Sequence, residues 1–508
     1  MYMKVFSKHM LGCFFFFVVH AIAAQTNWDR KIETALPEIL KKHRELVSIP
    51  NVSSNTADMM KNVAWITDAF TNIDFKVSLL ETTTLPVVLA EKTVNPKAKT
   101  ILFYLHLDGQ AVNPHKWNQE NPFQPVLKAQ DAKGSWQPLD WSKIEGTIDP
   151  EWRVFGRAAA DDKAPIIMLL AALEFMKHAS QELSYNVKII FDLQEETRSE
   201  GFLSTLETYK NNYAADYMII MDGPAHPSNV PTLTFGCRGV ATCNITLYGA
   251  KLPQHSGHYG NYAPNPVFAM SHLLASMKDT SGKVSIANFY EGIPLDTVTQ
   301  NLLARVPDNE EAIKKSLGIA QSDAVGATYQ ESLQYPSLNV RHIETSWKGP
   351  GLKTIIPEVV TAYLDIRLVK ETDGAAQLEK IKKHIASQGY FILDRTPTDA
   401  ERLLHEKIAT VTSNPGINAF RTEVHSPIGI QLRKALTDAF GTSPVIIRTM
   451  GGTVPITPAI QVLDIPAIIV PMVNMDNNQH NPNENIRIGN ISQGIKMCLA
   501  ILAMKLED

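Results

Sequence analysis

Five short stretches of this 508-residue chain carry side chains that bind metals or move protons. "LHLD" holds His106 and Asp108, "GRAAADDK" holds Asp161 and Asp162, and "QEE" holds Glu195 and Glu196. "MIIMDG" holds Asp222, and "NMDNNQHNPNEN" holds His480. Two histidines with several carboxylates form a hard nitrogen–oxygen donor set. It suits zinc, manganese or cobalt rather than copper or an iron–sulfur cluster. With one carboxylate shared, such a set holds two cations about 3.5–4 Å apart, and the water they bridge becomes hydroxide near neutral pH. A glutamate that stays off the metal takes the proton and passes it to a leaving amine. His106 and Asp108, two residues apart, share a strand face, so one can bind metal while the other orients its imidazole. Glu195 and Glu196 pose the opposite problem. Neighbours on a strand face opposite ways, so a turn or bulge must bring both to one site. Each pair alone is a weak signal, because acids at strand ends are commonly solvated turns. The ordered combination is specific.

The elements that must position these residues read as an α/β chain. "KTILFYLHLDG" (99–109), "NVKIIFDLQEE" (186–196) and "ADYMIIMDG" (215–223) are apolar runs ending in polar residues, as strands buried on both faces do. Helical spacing marks 35–49 and 57–70, and 164–179 is apolar nearly all round. The alternation predicts a largely parallel sheet, and in open α/β sheets ligands bind beyond the carboxyl ends of the strands. From 238 to 400 the character changes. "GVATCNITLYGA" and "EVVTAYLDIRLV" alternate like half-buried antiparallel strands, and helices are expected over 265–277 and 375–389. This segment reads as an α+β domain inserted into the first. The α/β pattern resumes after 400, with a helix over 429–440, strands over 444–448 and 465–471, and a last helix over 491–506. Residues 113–153 read as a long surface excursion, with 128–151 as an insertion near the cleft.

Length and composition agree with a soluble protein of two domains: 44% hydrophobic, 20% charged, net charge −4. That weak charge points to neither a nucleic-acid nor a membrane-surface partner. The first 25 residues, with Lys4 and Lys8, an apolar run through Phe14–Phe17 and the small residues "AIAA", have the outline of a secretory signal. They predict domains over 1–24 (leader), 25–237, 238–400 and 401–508, an exported product, and no membrane span once the leader is cut. Cys237, Cys243 and Cys498 are too few for a disulfide framework. They read as small buried side chains, with one disulfide as the alternative.

The ordered set "HLDGQ", "GRAAADDK", "QEETRSEG", "MDGP" and "QHNPNENI" resembles the M20 family of di-metal peptidases, and within it the carnosine-dipeptidase branch. "FGCRGV" (235–240), "HSGHYG" (255–260), "YPSLNV" (335–340), "GPGLKTIIP" (349–357), "DIRLV" (365–369) and "GGTVPIT" (451–457) extend the resemblance over roughly 35–505. It implies a three-layer zinc-peptidase-like catalytic domain with an inserted lid and dimerisation domain. It implies two divalent cations, zinc first, held by His106, Asp161, Glu196, Asp222 and His480, with Asp161 bridging. Glu195 resembles the general base and Asp108 the aspartate that orients His106. An aspartate at 222 goes with dipeptidases and aminopeptidases in this family, a glutamate with carboxypeptidases and deacylases. His255 resembles a histidine that reaches a neighbouring subunit's site and stabilises an oxyanion. Arg367 resembles the arginine that grips the substrate carboxylate. Gly451 and Gly452 let backbone approach substrate. The implied activity is hydrolysis of dipeptides or of N-terminal residues of short peptides, by a homodimer. Deacylation of N-acyl amino acids on the same fold is the alternative, and a silent binding protein a more distant one.

The sequence departs from the family pattern at Ala158 and Ala164, at Asn261, and at Met450, where a glutamate often precedes the double glycine. None removes a ligand. His178, His272 and His384 read as ordinary helix residues. There is no GxSxG, HExxH or phosphate-loop motif.

Overall fold

The structure, a computed structural model, describes residues 9–347 and 353–506, and 9–27 by backbone alone. Of the expected leader, residues 1–8 lie outside the described residues, and 9–24 are backbone of the first helix, α1 (His9–Val47). Residues 349–352 of "GPGLKTIIP" also lie outside them. Among the described residues no helix is long and apolar enough to cross a membrane.

The chain divides into two compact units: Met1–Phe235 with Thr422–Ile446 and Ala459–Asp508, and Gly236–Arg421 with Ile447–Pro458. The first is built on an eight-stranded sheet. Its strands before residue 235 are β1 (Lys76–Leu80), β2 (Val87–Lys92), β3 (Thr100–His106), β7 (Asn186–Asp192), β8 (Tyr217–Ile220) and β9 (Thr232–Thr234). A separate four-stranded sheet holds β4 (Val126–Gln130), β5 (Trp136–Pro138), β6 (Arg153–Phe155) and the strand Asn485–Arg487. The eight-stranded sheet is mixed. Its parallel part is the central run β7, β3, β8 and Ala467–Ile469, with antiparallel β1, β2 and β9 outside it. These central strands are Ile-, Leu- and Phe-rich and buried on both faces. Each such side chain taken out of water contributes roughly 1.5–3 kcal/mol.

Helix α2 (Thr56–Thr71) follows α1, and helix α3 (Lys163–His178) is buried along its first eleven residues. It packs against α1 and the last helix, Ile488–Leu502. The approach to the last helix is close: a Cβ on Gly494 would meet Met168 Sδ at 2.1 Å. The 113–153 excursion is more ordered than its Trp-, Pro- and Asp-rich sequence suggests. Its β4–β5 hairpin extends the small sheet through β6.

The second unit is a five-stranded sheet in the order Ser337–Thr345, Val359–Leu368, Gly239–Tyr248, Ile408–Ile417, Phe391–Leu393. Gly239–Tyr248 pairs with Val359–Leu368 without a slip from Gly239↔Leu368 to Tyr248↔Val359. Alternate residues of each (Ala241, Cys243, Ile245, Leu247; Val360, Ala362, Leu364, Ile366) enter one core with the helices Pro266–Met277 and Gly374–Ser387. Residues 401–421 and 447–458, expected with the last catalytic segment, belong here. For the first of these the reason is the strand Ile408–Ile417, which pairs antiparallel with Gly239–Tyr248. Cys237, Cys243 and Cys498 are all buried free thiols.

Candidate active site

The carboxyl ends of β3, β7 and β8 deliver three of the ligand-bearing segments side by side. β3 ends at His106, paired in register with Asp192, where β7 ends. The expected strand through Glu196 therefore stops four residues earlier. Asp192 stops it: its buried carboxylate accepts Tyr104 Oη (2.8 Å) and the Gln194 amide (2.9 Å). The chain then turns into one turn of 3-10 helix, Glu195–Thr197, closed by Arg198 in the left-handed region. This turn is what lets adjacent glutamates face the same site.

Asp108 lies just beyond β3, fully buried, and fastens that turn. Its Oδ1 accepts the Glu195 amide (3.0 Å) and its Oδ2 the Glu196 amide (3.2 Å). His106 Nδ1 is 3.1 Å from the Asp108 carbonyl and 3.5 Å from its carboxylate. Orientation of the imidazole thus comes from the backbone of Asp108 as well as from its side chain. Asn51 supports the segment that carries Asp108, its side-chain amide donating to Leu107 O (2.7 Å) and its backbone carbonyl accepting the Gly109 amide (2.9 Å).

Asp161 sits in the loop between β6 and α3. Two residues not singled out in the sequence hold that loop, Glu484 and Arg157. Glu484, with no exposed surface, accepts the amides of Ala158 (2.9 Å), Ala160 (3.0 Å) and Asp161 (3.0 Å) and pairs with Arg157 Nη1 (2.7 Å). His43 Nε2 donates to Ala159 O (2.8 Å), and Lys163 Nζ ties the start of α3 to the carbonyls of Leu46 and Ile49 (2.8 and 2.7 Å). Ala158, where the family pattern has glycine, has φ +59°, a left-handed conformation costly for a residue with a Cβ. The only sequence signal for Glu484 was a single acid four residues after His480.

His480 itself has φ +63°, and Asn478 and Asn483 are left-handed too. Asparagine tolerates that region and bonds its own backbone, which explains the composition of "NNQHNPNEN". Asn485 secures the loop base through the carbonyls of Asn477 and Asn483 (3.3 and 3.1 Å).

These segments converge on Asp161. His106 Nε2 lies 3.0 Å from Asp161 Oδ1, and His480 Nε2 lies 3.1 Å from Asp161 Oδ2 and 3.2 Å from Glu196 Oε2. Gln110 Nε2 donates to Glu196 Oε2 (2.7 Å). Two donor groups result, His106–Asp161–Asp222 and Asp161–Glu196–His480, each with ligand atoms within 4.8 Å of one another. The residues fit two cations. Asp161 Oδ2 is buried without a well-formed hydrogen bond, and among the described residues no lysine or arginine pairs with the cluster. Burial, then repulsion from Asp222, Asp161 and Glu196, pushes Glu195 well above the carboxylate range. Burial and Asp161 push Glu196 up to about 7 and Asp222 up to about 6. Burial works the other way on Asp161, yet close approach of the His106 and His480 imidazoles holds it below the usual value. The Asp161 carboxylate beside it raises His480 to about 9. Cation charge reverses this carboxylate logic.

The family model described as peptidase family M20/M25/M40 matches residues 102–504. The chain belongs to this family. As an M20 peptidase it is a metal-dependent hydrolase. It is 25% identical over 487 residues to the Cys-Gly metallodipeptidase dug1 of Schizosaccharomyces pombe, covering 92% of this chain and 95% of that protein. It is 26% identical over 423 residues to the human Beta-Ala-His dipeptidase, covering 82% of this chain and 76% of the relative. Among solved structures, an M20 family metallo-carboxypeptidase from Sulfolobus solfataricus superposes with TM-score 0.71 at 26% identity, covering 92% of this chain and 99% of that one. Human carnosine dipeptidase 1 superposes with TM-score 0.69 at 23% identity, covering 94% and 98%.

The remaining expected site residues of this M20 peptidase, His255, Arg367, Gly451 and Gly452, lie in the second unit. His255 is exposed and caps a short helix, its Nδ1 accepting the Gly257 amide (3.0 Å). Arg367 Nη1 donates to Thr453 Oγ1 (2.8 Å), whose hydroxyl donates to Arg238 O (2.6 Å). The Arg238 amide bonds the carbonyls of Met450 and Gly452 (3.1 and 3.0 Å). Arg367 is thereby placed beside the double-glycine turn within its own unit.

Proposed function

We propose that this chain is an exported dipeptidase that uses two divalent cations, zinc in the first place, and acts as a homodimer. The observation that carries the catalytic reading is Asp161, which lies in both donor groups, Oδ1 toward His106 and Oδ2 toward His480. His106 and Asp222 would hold one cation and Glu196 and His480 the other, with Asp161 common to both. When bound, the pair supplies Lewis acidity for the attacking water and the scissile carbonyl. Glu195 takes the proton of the water and returns it to the leaving amine. Asp108 keeps Glu195 within reach, because it holds the backbone of the turn. Arg367 receives the product carboxylate, the double-glycine turn allows close approach of the substrate backbone, and His255 steadies the oxyanion in a partner's site.

The dipeptide preference rests on two things: the aspartate at 222, and relatives named as Cys-Gly and Beta-Ala-His dipeptidases along most of the chain. The similarity to a carboxypeptidase structure supports a second reading, trimming of longer peptides from their C-terminus. Export rests on the charged and apolar start of the chain. Kinetics on an alanine series from dipeptide to pentapeptide, with N-acetylated counterparts, test the reading. The expected result is highest kcat/KM on free dipeptides. Turnover only of N-acyl amino acids would overturn it in favour of a deacylase, and rates rising with length would favour the carboxypeptidase.

A further inference from the structure

The first unit also holds a cavity whose lining includes none of the carboxylate cluster. One face of the small sheet formed by β4, β5, β6 and Asn485–Arg487 lines a cavity of about 890 Å³. Strand alternation separates the two faces. Leu127, Val154 and Ile486 have no exposed surface and pack inward, while Lys128, Trp136, Arg153, Phe155 and Asn485 line the cavity. The 128–151 insertion supplies two of these, Lys128 and Trp136.

Lys128 is the feature without an internal explanation. It is only 5% exposed. Its Nζ lies 4.5 Å from the centre of the Phe155 ring, and among the described residues no carboxylate pairs with it. Its cross-strand partner is another cation, Arg153, a placement that destabilises a sheet unless charge is offset. Arg153 has its own offset: Nη2 donates to Asp476 (2.7 Å) and Nη1 to Asn485 Oδ1 (2.9 Å). Its guanidinium also lies 4.9 Å from the Trp136 ring, and its Nε is buried without a partner. Trp136 and Phe155 meet edge to face at 5.2 Å. The cavity therefore presents one ammonium without an ion-pair partner, an aromatic wall, amide groups of the loop that carries His480, and the Asp476 carboxylate already paired with Arg153. A ring quadrupole is a weaker partner for an ammonium than a carboxylate is, and the aromatic wall suits an apolar or aromatic body.

We propose that this groove binds a small organic carboxylate, with Lys128 Nζ pairing with the carboxylate and Trp136 and Phe155 packing against the body of the molecule. The assignment goes beyond the dipeptidase reading and is tested by binding rather than by turnover. The probe is 3-phenylpropionate, titrated calorimetrically into the purified full-length protein, with neutral 3-phenylpropionamide as the matched control. Wild type should bind the acid saturably, and the amide should bind at least roughly tenfold more weakly, the loss expected of one charge-assisted contact. Lys128→Met should show a similar loss for the acid, and Lys128→Arg should retain most of its affinity. Equal binding of acid and amide, no saturation in wild type, or unchanged binding in Lys128→Met with the fold intact by circular dichroism would overturn the proposal. The same probe separates two sources of the carboxylate. If it raises the KM for dipeptides in wild type but not in Lys128→Met, the groove takes part of the substrate. If it binds and leaves KM unchanged, the groove takes a separate effector.

Discussion

Asp108 joins the end of β3 to the Glu195–Glu196 turn through one buried side chain and its own carbonyl. Both carboxylate oxygens are taken by the amides of Glu195 and Glu196, and His106 Nδ1 faces the residue from the other side. In Asp108→Asn one oxygen becomes an NH2 group facing a backbone N–H, two donors with no acceptor between them. Metal affinity is expected to fall roughly 10–100-fold, as when groups behind a ligand are removed, and competition with a chelator measures it. His43 gives a pH prediction at the same scale. A carbonyl only accepts, so Nε2 carries the proton toward Ala159, and Nδ1 is buried with no partner. Burial holds the imidazole down to about 4 from its ordinary 6.5. Below 6.5 the unfolded chain takes up a proton that the folded chain refuses, so stability is full above 6.5 and falls as pH drops toward 4. At roughly 1.4 kcal/mol per pH unit the loss approaches about 3 kcal/mol. Urea unfolding of wild type and His43→Gln between pH 4 and 7.5 should give a curve flatter by that amount in the variant; parallel curves would refute it.

At the scale of elements, the sequence carried the strands well and their ends poorly. Continuous apolar runs fix β3, β7 and β8, because strands buried on both faces have no other way to be written. Where β7 stops is decided by a tertiary event, the Tyr104 and Gln194 bonds to Asp192, which a local pattern cannot contain. The need for a turn at Glu195–Glu196 was legible from strand geometry alone. Its cause, capture of two amides by Asp108 across 87 and 88 residues, was not. The 157–161 loop is similar. Its acids were visible as motif residues, but its support comes from Glu484, more than 320 residues away. Glu484→Gln keeps the shape, weakens the bond to Arg157 and leaves that guanidinium buried without its anion. Breaking such a pair costs about 3–5 kcal/mol, so a drop in unfolding free energy of that order is expected. A change under about 1 kcal/mol would mean that the loop is held by other contacts.

For the molecule as a whole, alternating α/β elements with an inserted antiparallel segment were readable from periodicity. The exact partition was not, because the strand Ile408–Ile417 joins its sheet from beyond the expected boundary. The division assigns the carboxylate cluster to one unit and Arg367 with the double-glycine turn to the other. The proposed function rests on a two-cation site within one unit, with Glu195 moving protons without holding metal. The direct test is metal content and turnover measured on the same preparation of Glu195→Gln. Glu195→Gln should hold two divalent cations per chain, as in wild type, with kcat on dipeptides lower by roughly 10²–10⁴, the contribution typical of general acid–base catalysis. Loss of a cation from this variant, or retention of wild-type kcat, would contradict it.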